Sequence, residues 1–146
     1  MITFFDIKNA VNAVLQTKLP QIKVKAQDIT KGFERPSLTT EIEDAKAETL
    51  NGQIEMSCTV LIYYFPDLKN TDKSIDVLDM QFRLPIAFGN KLYVANRALN
   101  INEPSSKVVD GILIFQFDIL FYQADESNAG NPVEMMQELY INLESE

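Results

Sequence analysis

The clearest alternation of apolar and polar positions runs from residue 111 to 122. Leu113, Phe115, Phe117, Ile119 and Phe121 take every second place there, with Gln116 and Asp118 among the residues between them. Successive side chains of an extended backbone point to opposite sides, so this spacing predicts a strand with one wholly apolar face. Each such side chain contributes about 1.5–3 kcal/mol when fully buried, before the entropy of ordering is subtracted. A second run, 52–65, sets Ile54, Met56, Cys58, Val60, Ile62 and Tyr64 against Glu55, Ser57 and Thr59. Two long runs of this kind predict an antiparallel sheet covered on one face.

Helical spacing governs 4–19, where Phe4, Ile7, Val11, Val14, Leu15 and Leu19 recur every three or four residues. Thr3 is the predicted N-cap, Asp6 sits in the first turn where the helix dipole favours a negative charge, and Pro20 ends the helix. This helix is expected to lie on the sheet. A second stripe, Ile75, Leu78 and Phe82, predicts a helix over 72–83 closed by Pro85. Ile22, Val24 and Ala26 alternate with Lys23 and Lys25, a short strand whose lysines suit a sheet edge.

Leu38, Thr40 and Ile42 predict a strand that frays into the charged stretch 41–48. Asn51-Gly52 marks a hairpin turn into 52–65, with a longer acidic loop over 44–50 as the alternative. Leu92 with Val94, and Leu99 with Ile101, predict two short strands broken at Asn96-Arg97, followed by a loop at Glu103-Pro104-Ser105-Ser106. Asp110-Gly111 is expected to turn into the 111–122 strand. The segment 123–131 is polar, and 132–146 is ambiguous: Val133, Met136 and Leu139 fit a helical turn, whereas Leu139, Ile141 and Leu143 fit a strand. The elements predict an α+β fold, a mixed and largely antiparallel sheet with an N-terminal helix and a second helix packed on it. One domain spanning 1–146 is the expectation, since a chain of this size buries roughly 68–70% of its unfolded surface.

Composition narrows the function. The net charge is −8 and no basic cluster gathers on one element, which speaks against a nucleic-acid footprint. An acidic channel would repel DNA and not retain it, so DNA as passing cargo stays compatible. No apolar run reaches the length of a membrane span, and the N-terminus lacks the basic start and cleavage site of a signal peptide, so no membrane partner and a cytoplasmic location are expected. The single cysteine, Cys58, lies at an inward strand position and is expected to be a small core hydrophobe.

The chain contains no histidine, which removes the commonest neutral-pH base and metal ligand. Phosphate-loop and dinucleotide-binding glycine motifs are absent as well, with only 5 glycines in the chain. Asp67, Asp72, Asp76 and Asp79 cluster without calcium-loop spacing and are expected to form a solvated face. Glu41, Glu43 and Asp44 are the nearest pair-forming carboxylates, yet they lie where burial to raise a pKa is not expected. No enzyme activity, catalytic residue, cofactor or metal is therefore expected. Two stretches suit contact better: Lys31, Phe33 and Arg35 in the loop 31–36, and Tyr63, Tyr64 and Phe65 at a strand end. The plainer alternative for both is aromatic packing at the margin of the core. Replacing Phe33 or Arg35 is expected to impair assembly more than folding.

The order helix, Lys31-Gly32-Phe33-Glu34-Arg35-Pro36, strand, Ile62-Tyr63-Tyr64-Phe65-Pro66, helix and Val109-Asp110-Gly111-Ile112-Leu113 resembles the tail terminator (tail completion) proteins of phages and prophages of Gram-positive bacteria. The resemblance implies a structural virion protein, a sheet flanked by helices that assembles into a ring, usually a hexamer. Such a ring docks on the last ring of the tail tube protein, stops polymerisation and offers a surface to the head connector or neck protein. It implies residence in the virion tail, with assembly in the host cytoplasm. Another neck or head–tail adaptor, or a small-ligand-binding accessory domain, are the alternatives.

Overall fold

In a computed structural model of the chain, the described residues are 1–25, 35–67, 69 and 72–125. They form, in order, α1 (Phe4–Lys18), β1 (Lys23–Val24), β2 (Ser37–Leu50), β3 (Gln53–Phe65), α2 (Lys73–Phe88), β4 (Lys91–Val94), β5 (Arg97–Asn100), β6 (Asn102–Val109) and β7 (Ile112–Ala124). Among them, five strands make one sheet in the order β1-β2-β3-β7-β6, and β4 pairs with β5 in a separate hairpin. β1 runs parallel to β2 and every other pairing is antiparallel, giving the mixed α+β architecture with two helices.

The two alternating runs become the centre of this sheet. β3 and β7 are direct neighbours, with Val60 opposite Phe117 and Ile62 opposite Phe115. Leu113, Phe115, Phe117 and Ile119 are all at most 1% exposed, and Met56, Cys58, Val60, Ile62 and Tyr64 are buried beside them. Phe88 of α2 joins this layer, its ring 5.3 Å from Phe117 and 6.0 Å from Phe115. Ile7, Val11 and Leu15 of α1 are fully buried in the same core.

α1 starts where its sequence says it should. The Thr3 hydroxyl accepts from the Asp6 N–H at 3.1 Å while the Asp6 carboxylate accepts from the Thr3 N–H at 2.9 Å, a reciprocal capping box. Those bonds to Thr3 hold the Asp6 carboxyl below its ordinary value. Just before the helix, the Ile2 N–H donates to Gln123 Oε1 at 2.7 Å and Gln123 Nε2 donates to the Ile2 carbonyl at 2.8 Å. The start of the chain is thereby tied to the end of β7.

Several elements depart from the expectation. β2 does not fray: it pairs with β3 from Ser37 opposite Phe65 to Leu50 opposite Gln53, which excludes the long acidic loop. A bulge between Glu43 and Lys46 accommodates the irregular stretch, with Asp44 at φ 52°. Aspartate tolerates that left-handed conformation better than most residues, and the backbone ladder is indifferent to side-chain charge. Likewise, the supposed loop 103–106 lies within β6, an edge strand. Its register shifts between Asn102 and Ser105, Glu103 has φ 50°, and Pro104 falls where no ladder N–H is required. β5 stops at Asn100, so Ile101 packs on the core from between two strands.

α2 continues past Pro85 to Phe88, where Gly89 caps it at φ 63° and donates its N–H to the Pro85 carbonyl at 2.9 Å. Proline forfeits one bond in the last turn, and burial of Leu84 and Phe88 on either side offsets that loss. The face of α2 is also reversed. Ile75, Leu78 and Phe82 are 63%, 65% and 68% exposed, while Val77, Met80, Leu84 and Phe88 are buried. At 100° per residue the two sets lie on opposite sides of the helix, and only one can meet Phe115 and Phe117. Residues 31–34 of the loop 31–36, Ala26, most of the turn after Asp67 and the tail 126–146 fall outside the described residues. Asp110 and Gly111, at φ 52° and 77°, make the tight turn between β6 and β7.

Candidate functional site

β3 alternates, so its residues 55, 57, 59, 61, 63 and 65 face away from the α1–α2 layer, together with Ile112, Ile114, Gln116, Asp118, Leu120 and Tyr122 of β7. This second face divides into two regions. Toward the β2–β3 turn it is polar and acidic: Glu43 and Glu48 are exposed on β2, with Glu41 at the boundary opposite Leu61, Glu55 is half-buried, and the Thr59 hydroxyl donates to the Asp118 carboxylate at 2.8 Å. Toward the other end it is apolar, with Leu61 and Phe65 only 6% and 5% exposed and Tyr63, Ile112 and Ile114 half-buried.

Arg35 meets one of the aromatic candidates at that apolar end, and a second stacks on the first. The Tyr63 and Phe65 rings stack at 6.4 Å, and the Arg35 guanidinium lies 5.6 Å from the Phe65 ring centre. Arg35 Nη1 also donates to the Pro66 carbonyl at 3.4 Å. Partial burial and the carboxylates of Glu41 and Glu43 push the Tyr63 hydroxyl above its ordinary value. The result is a cation, two rings and two carboxylates side by side on one surface. Such a mixed patch suits recognition of another protein, where aromatic and arginine anchors dominate contact energies.

Tyr64 is separate from this group. It points into the core, 3% exposed, and its hydroxyl donates to Asp76 at 2.7 Å, bracing the end of β3 against the first turn of α2. Burial and that bond raise its hydroxyl far above the ordinary range. Lys31 and Phe33 lie outside the described residues. The sequence reading took Ile75, Leu78 and Phe82 as the stripe that packs on the sheet and missed the opposite stripe of Val77, Met80, Leu84 and Phe88, which leaves the first, with Ile86, exposed. The signal was present: a helix apolar on two opposite sides has more to bury than one sheet face can cover.

Among the described residues the acidic groups show no converging arrangement. Asp76 accepts from Tyr64 and Asp79 pairs with Arg83 at 2.9 Å, both well exposed, so that pair contributes well under about 1 kcal/mol. Among the described residues no group of three metal-binding side chains comes together, and no helix is long and apolar enough to cross a membrane. Cys58 is buried, and burial together with the Asp118 carboxylate pushes its thiol up to about 11. Since the thiolate is the reactive form, Ellman-type labelling of Cys58 at pH 8 is expected to run roughly 100-fold or more slower in native protein than in urea. Equal rates would show that the strand centre opens freely.

No curated protein matches the chain. A solved structure aligns with 80% of this chain and 94% of its own at 10% identity, with a TM-score of 0.30, too low a likeness to support any argument. The profile of a family described as phage tail terminator protein matches residues 6–131, from the first turn of α1 to beyond the end of β7. With most of its length matched, and with the helix–sheet–helix order on which the resemblance rested, this chain belongs to the phage tail terminator protein family.

Proposed function

We propose that this protein caps the tail tube of a phage or prophage of a Gram-positive bacterium, stops its polymerisation and supplies the surface for head–tail joining. The observation that carries the reading is the family match across 6–131, which makes the protein a structural component of the phage tail and implies a role without catalysis. The proposed partners are further copies of this chain in a ring, the tail tube protein and the head connector, with assembly in the host cytoplasm. A ring needs a heterologous contact, one face of a subunit against a different face of the next.

The sheet suggests which surfaces take part. β6 is one edge, and beyond its two-residue pairing with β1 the outer side of β2 is open as well; both are poor templates for strand addition, because each carries a bulge with an acidic residue in the left-handed region, Asp44 on β2 and Glu103 on β6. Contact through the face is favoured instead. The Arg35–Tyr63–Phe65 corner is the proposed docking patch for the last tube ring. The acidic region around Glu41, Glu43, Glu48 and Asp118 suits a lumen from which passing DNA is repelled.

Electron microscopy of tails assembled without this protein tests the reading. Tubes of uncontrolled length that fail to join heads are expected. Tails of normal length would remove the capping role.

A further inference from the structure

β7 outruns its neighbour. β6 pairs with it only as far as Asn102 opposite Asp118, whereas β3 stays paired along its other side to Ala124. The chain that could have continued the ladder turns away: β5 pairs with β4, and the Ile101 N–H donates to the Asn90 carbonyl at 3.0 Å. Among the described residues, 119–124 therefore have no strand paired on that side. Which groups face the open side follows from the end of the strand. The Asp125 N–H reaches the Gly52 carbonyl on the β3 side at 3.0 Å. Alternate residues point opposite ways, so Leu120 and Tyr122 turn their N–H and C=O outward.

This stretch lacks the features that spoil the other edges. The outer side of β2 and the edge strand β6 carry bulges, whereas β7 pairs with β3 without a shift. Ile119-Leu120-Phe121-Tyr122 is uncharged and suited to a strand, with the Leu120 and Tyr122 side chains 46% and 47% exposed. One charge stands over it, from β5. Arg97 Nη1 donates to the Tyr122 carbonyl at 2.8 Å, and the guanidinium lies 5.3 Å from the Phe121 ring centre.

We infer that Arg97 guards this edge, and that what it keeps out is the same edge of a second copy of the chain. The stretch is self-complementary. Two antiparallel copies related by a two-fold axis at Phe121 set Leu120 of each opposite Tyr122 of the other. Each such pair exchanges two backbone bonds, one of which ends on a Tyr122 carbonyl. The exposed Leu120 and Tyr122 side chains fall on one face of the joined sheet, so apolar contact adds to the ladder. Arg97 occupies the Tyr122 carbonyl in both copies and puts a like charge on each side of the seam. The guard holds whether the free chain is a monomer or a ring.

Arg97→Ala and Arg97→Met test this, the second keeping bulk over Phe121 without a donor or a charge. Sedimentation velocity is run beside the wild-type chain at matched concentrations, with circular dichroism to follow the fold. Both variants are expected to self-associate about 10-fold or more tightly than wild type, because each pairing regains two carbonyl acceptors. If Arg97→Ala loses its circular dichroism signal, Arg97→Met decides. Hydrogen exchange locates the contact: the Leu120 and Tyr122 amides are expected to exchange fast in wild type and to become protected with concentration in the variants. Adding Tyr122→Pro removes an N–H that the β3 ladder does not use, and is expected to reverse the association. Wild-type sedimentation of Arg97→Met overturns the guard. So does slow exchange of both amides in dilute wild type, or association that Tyr122→Pro leaves intact.

Discussion

Phe117→Ala is expected to lower the unfolding free energy by about 3–5 kcal/mol, a large share of the roughly 5–15 kcal/mol that holds a domain folded. Phe117 is fully buried at the middle of β7, opposite Val60, with Phe88 at 5.3 Å and Phe115 at 5.8 Å. Removing the ring forfeits the burial energy and two aromatic contacts of about 0.5–1.5 kcal/mol each. The cavity has little means of closing, since β7 is held in register by β3 on one side and β6 on the other. Urea unfolding followed by circular dichroism measures the loss. Leu120→Ala is the control: it lies on the other face at 46% exposure and is expected to change stability by no more than about 0.5 kcal/mol. Similar values for the two variants would show that the apolar face of β7 is not the centre of the core.

The same contrast explains what was legible in the chain. α1, and β3 and β7 in the stretches around Glu55–Thr59 and Gln116–Asp118, set an apolar stripe against a polar one, so period and buried face are read together from residues such as Phe117 and Asp118 or Val11 and Asn12. α2 carries two apolar stripes on opposite sides. Its period is readable, but the choice of Val77, Met80, Leu84 and Phe88 over Ile75, Leu78 and Phe82 is made by Phe88 meeting Phe115 and Phe117. β2 and β6 were obscured for another reason. Their side chains, among them Glu43, Asp44, Glu48, Pro104 and Ser105, say little about burial, and their strand character comes from backbone pairing to neighbours already in place.

The candidate site divides along the same line. That Tyr64 turns inward follows from its alternation with Val60 and Ile62, and its partner Asp76 sits on the helix that the sheet positions. That Arg35 lies over Phe65 does not follow from spacing, because the two are brought together only by the pairing of Ser37 with Phe65. The aromatic strand end was thus visible as a group of residues, whereas its division into a core brace and a surface patch depends on the register of the sheet.

Arg35→Ala is expected to abolish control of tail length while costing the fold about 1–2 kcal/mol. The guanidinium's contacts include one ring at 5.6 Å and one carbonyl at the long distance of 3.4 Å, each worth about 1 kcal/mol. A large assembly defect follows from the proposed role, because removing an arginine anchor from a docking patch costs about 2 kcal/mol or more per contact, repeated at every subunit of a ring. Tyr63→Ala is expected to behave in the same way, and Phe33→Ala is expected from the sequence to join them. Tyr64→Phe should do the opposite, losing about 1 kcal/mol of stability with the Asp76 bond while assembly proceeds normally. Each variant is supplied in trans to a phage lacking the protein, tail lengths are measured by electron microscopy, and urea unfolding is run on the purified chains. If tail-length control falls in step with stability across all of them, Arg35 and Tyr63 are braces like Tyr64, and the contact with the tube lies on another surface of the sheet.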